Sequence, residues 1–410
     1  MVKNMQDAVV VGGGPAGSFF SYELAKRGLD VTVFEEHPEV GFPSHCAGHL
    51  SIRSLRNLGL YPLPEGIVEN TFSAANFYSA VGTKFSVRLA QPVTCAVNRA
   101  RFDGYLAEKA QAAGARYQLG ARVQSLLMEV GFVKGVNVTQ NGGAATQVPA
   151  KLVVDAEGIS SRLLKQAGLR GLKGDGLVYA VEADVEGVRD VEEHAVEVYV
   201  GKEYAPGFYG WIMPLSNGAA KVGLATRSGN PKDYLQRLMN KHPVASRQLA
   251  NAKIKHLAFH AITLGGPVPK AYADGFLAVG DCASQVKPTT GGGVIFGVTC
   301  ARIAAEVAAQ AVEKNDLSAA ALQAYQKRFM DTLGFDFDIM LRARKAINSF
   351  SDEKIDRALR FAARVGLDKA LRDVDEIDFQ GRTLLSMFGK PAAYASLAYL
   401  LALYLPEFRL

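Results

Sequence analysis

Gly12, Gly14 and Gly17 form a G-x-G-x-x-G pattern, and Glu35 closes the next apolar run. Residues of these types at this spacing could hold a dinucleotide. Gly12 makes a tight turn, Gly14 lets a pyrophosphate approach the backbone, and Gly17 lets a helix close on a strand. The N–H groups at the start of that helix then meet the phosphates, and the Glu35 carboxylate accepts the ribose hydroxyls. The pattern needs a strand before it and a helix after it. Ala8 to Val11 is an apolar run entering Gly12. Ser18 to Arg27 reads as a helix closed by Gly28, and Val31 to Phe34 reads as a second strand. The alternative is a glycine-rich structural turn with no ligand.

Two further stretches have the same character. Asp155-Ala-Glu-Gly158-Ile-Ser160-Ser-Arg162 follows an apolar run and opens a helix. Gly280-Asp281 ends another run, and Pro288-Thr-Thr-Gly-Gly-Gly293 follows it. A carboxylate at a strand end can accept from the ribitol of a flavin. A glycine-rich turn can set the start of the Gly293 helix beside the flavin ring, where the positive helix end stabilises charge on the reduced ring. Three such stretches in this order, with Arg99 on a helix between the first two, point to FAD.

The chain is long enough for two or three domains. Its 49% hydrophobic and 21% charged residues are ordinary for a globular protein. No run of 18 apolar residues exists, which argues against a full membrane span. MVKNMQ leads straight into the first strand, with no room for a signal peptide, so a cytoplasmic protein is expected. The net charge of +6 is spread along the chain and serves solubility or attraction to anionic lipid. There is no basic-aromatic array of a nucleic-acid binder. Cys46, Cys95, Cys282 and Cys300 include no C-x-x-C pair, so no metal site is expected and reduced thiols are the default.

The remaining elements follow from periodicity. Ser51 to Leu60 reads as a short helix, and Asn76 to Leu89 as two strands turning at Gly82. Asn98 to Ala113 reads as a helix with Phe102, Leu106 and Ala110 on one face. Val123 to Leu127 and Phe132 to Val138 alternate, with Asn141-Gly142 as a hairpin turn. From Leu177 to Leu224, alternating runs describe an antiparallel sheet. The last hundred residues are helical, with Leu322, Tyr325 and Phe329 on one stripe and Ile355, Leu359 and Val365 on another. Pro391 to Leu405 is uncharged and apolar, either a buried closing helix or an interfacial segment. The resulting fold class is α/β: a Rossmann-like FAD-binding domain with an antiparallel-sheet substrate domain and a helical C-terminal region. The expected division is 1–75, 99–175 and 263–310 for FAD, 76–98 and 176–262 for the substrate sheet, and 311–410 for the helices.

With these residues in view, the chain resembles the FAD enzymes of the p-hydroxybenzoate-hydroxylase fold. Gly12, Gly14, Gly17, Glu35, Arg99, Asp155 to Gly158 and Gly280-Asp281 carry that likeness. Within the fold it resembles the geranylgeranyl reductases, including digeranylgeranylglycerophospholipid reductases, through Cys46-Ala47-Gly48 and Tyr209-Gly-Trp211-Ile-Met-Pro214. Met213 departs from the family's usual Phe. Flavin halogenases carry a similar motif, usually with two tryptophans, whereas this chain has one Trp in all.

The resemblance implies FAD contacts from Gly12, Gly14, Ala16, Gly17, Glu35, Glu36, Cys46, Ala47, Gly48, Arg99, Val123, Asp281, Gly292, Gly293 and Val294. It implies a substrate wall from Phe208, Tyr209, Trp211, Met213 and Pro214, with Ile212 also of a suitable type, and roles in the reaction for Cys46, Tyr209 and Trp211. The same wall residues could be plain sheet core. Cys46 is either a small packing residue or a redox-active thiol, with Cys282 or Cys300 as its nearest partners by motif placement, and His45 or His49 could donate a proton.

The implied reaction is flavin-dependent reduction of geranylgeranyl double bonds. Its electrons would come from NAD(P)H or reduced ferredoxin, and its partners would be a prenyl lipid, an electron-donor protein and a membrane surface touched peripherally. Oxygen activation, as in an aromatic monooxygenase or halogenase, is the second class. A flavoprotein that only binds is the third.

Overall fold

The computed structural model describes residues 5–172, 174–387 and 389–404. Met1 to Asn4 and Leu405 of the apolar tail lie outside them. The chain divides into two compact units. The first comprises Met1–Ser44, Arg99–Gly176 and Thr263–Phe337, and the second His45–Asn98, Leu177–Ile262 and Asp338–Leu410.

The sheet of the first unit runs Tyr272–Ala273, Phe276–Ala278, Thr146–Asp155, Gln6–Val11, Val31–Phe34, Arg116–Gln118. All neighbours are parallel except the first pair. Parallel strands are covered on both faces and therefore read as continuous apolar runs. Ala8 to Val10 and Val31 and Val33 are accordingly fully buried. Ala121–Glu129 and Phe132–Gln140 extend the Thr146–Asp155 strand as an antiparallel ribbon. Its own two-residue turn, Val130–Gly131, has positive φ at both residues, as a tight hairpin requires; Asn141 and Gly142, also at positive φ, lie instead in the longer link between Gln140 and Thr146.

In the second unit a seven-stranded sheet runs Lys253–Thr263, Leu177–Glu186, Ala219–Thr226, Tyr209–Pro214, Ala195–Val200, Ala74–Ser79, Lys84–Arg88. Ala195–Val200 and Ala74–Ser79 pair in parallel. One face is covered by helices Pro231–Lys241 and Ala245–Gln248, which bury Leu235, Leu238 and Ala245 against Val181, Ile212, Val222 and Leu224.

Two borders differ from the expected division. Residues 45–75 belong with the second unit rather than with 1–44. The reason is pairing: His49–Ser51 and Val68–Phe72 both hydrogen-bond to Thr94–Val97 in a small antiparallel sheet. Residues 311–337 belong with the first unit. Leu322, Tyr325, Phe329 and Phe337 are buried there, and the Tyr325 hydroxyl donates to the Ala278 carbonyl at 3.0 Å.

Among the described residues one helix, Val294–Glu313, is long and apolar enough to cross a membrane by length and composition. Most of it is buried, including Ile295, Phe296 and Val298, as in a core helix. Pro391–Tyr404 is different. It buries Ser396 and Leu403 but leaves Tyr394 59% and Leu401 50% exposed, which departs from the closing-helix expectation.

Candidate functional site

In the first unit, three stretches distant in sequence meet. A Cβ on Gly12, whose φ is +101°, would lie 2.4 Å from the Ala156 carbonyl oxygen, and one on Gly17 would lie 2.1 Å from the Gly12 carbonyl oxygen. A Cβ on Gly280 would reach the Ala16 methyl at 3.0 Å, and one on Gly293 the Asp281 Oδ1 at 2.7 Å. These four glycines thus join the ends of Gln6–Val11, Thr146–Asp155 and Phe276–Ala278 to the starts of helices Pro15–Ala25 and Val294–Glu313. Gly14 is the exception: a Cβ there meets nothing within 4 Å. It caps helix Pro15–Ala25 with no side-chain cap, so open space lies against a helix start whose first N–H groups lack helical partners. That cradle fits a pyrophosphate.

Glu35 is buried at the end of its strand. One carboxylate oxygen accepts from the Gly13 N–H at 2.7 Å, and the other from the His37 N–H at 2.9 Å. The glycine loop and the acid are therefore fixed to each other; His37 Nδ1 also lies 2.6 Å from Oε1, so the acceptor site left for a ribose hydroxyl is on Oε2. Arg99 forks onto Asp103 with two bonds of 2.9 Å. Glu36 is exposed and pairs with Arg122 at 3.4 Å. The Val123 side chain is buried and its carbonyl accepts from Arg162, so a ligand contact there would run through the main chain. Gly292 lies under the Lys287 stem, 2.5 Å from a would-be Cβ, and Val294 begins its helix. Asp155 is held at the back of this junction. Burial, and then the Glu157 charge, push its pKa up to about 7.

In the second unit, strand Tyr209–Pro214 alternates sides. Tyr209, Trp211 and Met213 share the face away from the Leu235–Leu238 helix. Trp211 pairs across the strands with Val198 and Gly223. Its indole lies flat over Gly223, where a Cβ would be 2.4 Å from Cζ2. The indole Nε1 is buried without a hydrogen-bond partner among the described residues. Phe208 stacks on Tyr209 with ring centroids 4.3 Å apart, and Tyr209 meets Trp211 edge-on at 5.9 Å. These form one aromatic row. Burial raises the Tyr209 hydroxyl well above its ordinary range.

Three wall residues are placed otherwise. Ile212 and Pro214 alternate to the helix-covered face, Ile212 in the core beneath it, because neighbours in a strand point oppositely. Met213 is 1% exposed among Phe72, Ala96 and Val196, packed with Ala47, so it is core rather than lining.

Sequence reading missed Lys221, the cross-strand partner of Met213. It is 8% exposed. Its ammonium donates to Glu69 Oε2 at 2.6 Å, the Val97 carbonyl at 3.0 Å and the Ala47 carbonyl at 3.4 Å. An ammonium has three N–H donors, and all three are used. Together with the Val97 N–H bond to the Gly48 carbonyl at 2.9 Å, this ties Cys46-Ala47-Gly48 to the sheet. Cys46 is half-buried, and all four cysteines are free thiols. His45 lies 5.1 Å ring to ring from His260, and His49 reaches Thr94 Oγ1 at 2.7 Å.

Comparison with known proteins gives the family and the fold. The family described as FAD binding domain matches residues 5–329. A digeranylgeranylglycerophospholipid reductase of Methanopyrus kandleri is 37% identical, over 85% of this chain and 88% of that one. A geranylgeranyl bacteriochlorophyll reductase-like protein of Thermoplasma acidophilum superposes with a TM-score of 0.86 at 26% identity, covering 97% and 99% of the two chains. A flavin-dependent brominase superposes at 0.71 with 22% identity, over 94% of this chain and all of that one, and shares the fold.

Proposed function

We propose that this chain, which belongs to the digeranylgeranylglycerophospholipid reductase family and carries its FAD binding domain, reduces carbon–carbon double bonds of geranylgeranyl chains in prenyl lipids or prenyl diphosphates. The observation that carries this reading is 37% identity to a named reductase along most of both chains. Reduced FAD, when bound, would supply the hydride, and a proton from a donor at the site or from water completes the addition across the double bond. The chain's own residues do the rest. The Gly12–Gly17 turn and the start of helix Pro15–Ala25 take the pyrophosphate, and Glu35 takes the ribose. Ala16, Glu36, Arg99, Val123, Asp281, Gly292, Gly293 and Val294 complete the FAD contacts. An isolated alkene accepts hydride poorly, so it must be held in line and kept dry. Phe208, Tyr209 and Trp211 provide the apolar wall for that. Electrons reach the flavin from NAD(P)H or a reduced ferredoxin.

The test is anaerobic. Dithionite-reduced protein mixed with a geranylgeranyl lipid should reoxidise its flavin while the lipid gains hydrogens in pairs by mass spectrometry. A flavin that stays reduced until air is admitted sinks the reading and favours oxygen activation.

The apolar helix Pro391–Tyr404 supports a second, finer element: peripheral contact with the membrane that holds the substrate. Its exposed Tyr394, Leu400 and Leu401 suit the interface between headgroups and acyl chains. Replacing the two leucines with serine should at least halve co-flotation with anionic vesicles. Equal flotation of the variant would remove the helix from that role.

A further inference from the structure

We propose that Arg227 and Arg344 form the anion-binding end of the substrate site and take the phosphate ester or diphosphate of the prenyl substrate, an assignment that rests on the prenyl-reductase reading above. Both side chains converge on one residue, Gly207. Arg344, near the end of helix Ala319–Ser349, donates from Nη2 to the Gly207 carbonyl at 2.9 Å. Arg227 follows strand Ala219–Thr226, and its N–H is fixed to the Pro206 carbonyl at 2.8 Å. The Arg227 stem lies directly on Gly207: a Cβ there would be 2.8 Å from the Arg227 Cβ, and the φ of +84° disfavours a side chain in any case. Glycine is what lets the two arginines meet.

Two like charges side by side repel, and the repulsion grows as water is excluded. Arg344 is half-buried, and burial followed by the Arg227 charge lowers its pKa to about 10. It remains protonated at neutral pH. Arg227 is exposed and forms no ion pair among the described residues. An anion between the two heads would remove the repulsion, and guanidinium forks match the spacing of phosphate oxygens.

The location fits an amphipathic ligand. The Arg344 guanidinium carbon lies 5.6 Å from the Phe208 ring centre, and Phe208 begins the aromatic row that runs through Tyr209 to Trp211. A charged head at Gly207 and an apolar chain along the row would use both features at once. A head anchored there would set which double bonds come level with Trp211.

Trp211 is the single tryptophan of the chain, so its emission reports on this row alone. FAD-loaded protein titrated with inorganic pyrophosphate or glycerol 3-phosphate should show a saturable change in that emission. Arg227→Gln and Arg344→Gln should each weaken it at least tenfold, with Arg344→Lys recovering part. Turnover supplies the second arm. In the glutamine variants the KM for geranylgeranyl diphosphate, or for digeranylgeranylglycerol phosphate, should rise about tenfold relative to that for uncharged geranylgeraniol. The substrate with the larger rise identifies the natural head group. No emission change in the wild type, an unaltered titration in the variants, or a KM rise shared equally by geranylgeraniol overturns the assignment. A wild type that binds the anions but turns over none of the three substrates sinks the prenyl-reductase reading and leaves the arginine pair standing as an anion site.

Discussion

Replacing Gly14 with valine is expected to give a folded protein that no longer retains FAD. The three glycines of the first motif are glycines for different reasons. At Gly12 and Gly17 a side chain would strike the protein itself, at 2.4 Å and 2.1 Å from carbonyl oxygens. Substitution there damages the junction between strand and helix whether or not a ligand is present. At Gly14 the backbone is ordinary, with φ of −65°, and no atom lies within 4 Å of a Cβ. The protein tolerates a side chain at that point, but a pyrophosphate seated on the helix start does not. FAD affinity of Gly14→Val should fall at least ~100-fold, about 2.7 kcal/mol. The flavin-free wild type and variant should melt together. The check is the 450 nm absorbance per protein after gel filtration, beside thermal melting of both apo proteins. A Gly14→Val protein that stays yellow would move the pyrophosphate elsewhere. Gly17→Val, in contrast, should lower stability even without flavin.

Lys221→Met is expected to loosen the Cys46 loop and to destabilise the second unit. The change removes a buried ammonium from one carboxylate and two carbonyls. Breaking a buried pair from one side commonly costs about 3 kcal/mol, because the remaining charge keeps its desolvation penalty. The cysteines provide a local readout. Cys95, Cys282 and Cys300 are fully buried, and only Cys46 is partly open. Burial alone pushes the Cys95 thiol up to about 12, so at pH 8 an alkylating reagent should react with Cys46 first. In Lys221→Met its labelling should accelerate about tenfold, with one thiol modified per chain. Modification of all four would signal global unfolding instead. Adding Glu69→Leu should restore part of the melting temperature but leave Cys46 labelling fast, since the Ala47 carbonyl still lacks its donor. An unchanged labelling rate in the single variant would mean the loop is held by other contacts.

How far the sequence could be read depends on the range of the interaction. The strands of the first unit were legible because a strand covered on both faces must be apolar throughout, as Ala8–Val11 is. The glycines were legible because steric demand at a turn leaves a residue type behind. Neighbours across strands leave no such mark. Trp211 lies over Gly223, and Met213 beside Lys221, only because Tyr209–Pro214 pairs with Ala219–Thr226 in one register. A shift of one residue would put Lys221 on the helix-covered face. From sequence alone, Lys221 in an alternating run looks like a solvated residue. The same holds for Arg227 and Arg344, which meet only through Gly207. Ile212 and Pro214 stand in the same motif as Trp211, but a strand sends alternate members to opposite sides, so a motif read along the chain does not share one face.

The order in which strands enter the two sheets has a consequence for the chain as it leaves the ribosome. Gln6–Val11 is made early but is flanked by Thr146–Asp155, whose own neighbour Phe276–Ala278 comes still later. Ala74–Ser79 emerges long before Ala195–Val200, the strand it pairs with in parallel. Neither sheet can close until most of the polypeptide has been synthesised, and each waits while segments of the other are translated. Neither unit is a single contiguous stretch of chain: each is assembled from three segments with segments of the other between them. The nascent chain must carry unpaired strand edges through most of translation, and edges of that kind invite pairing with other chains. The cell's demand on this protein is therefore for shelter during synthesis, set by its threading rather than by the stability it finally reaches.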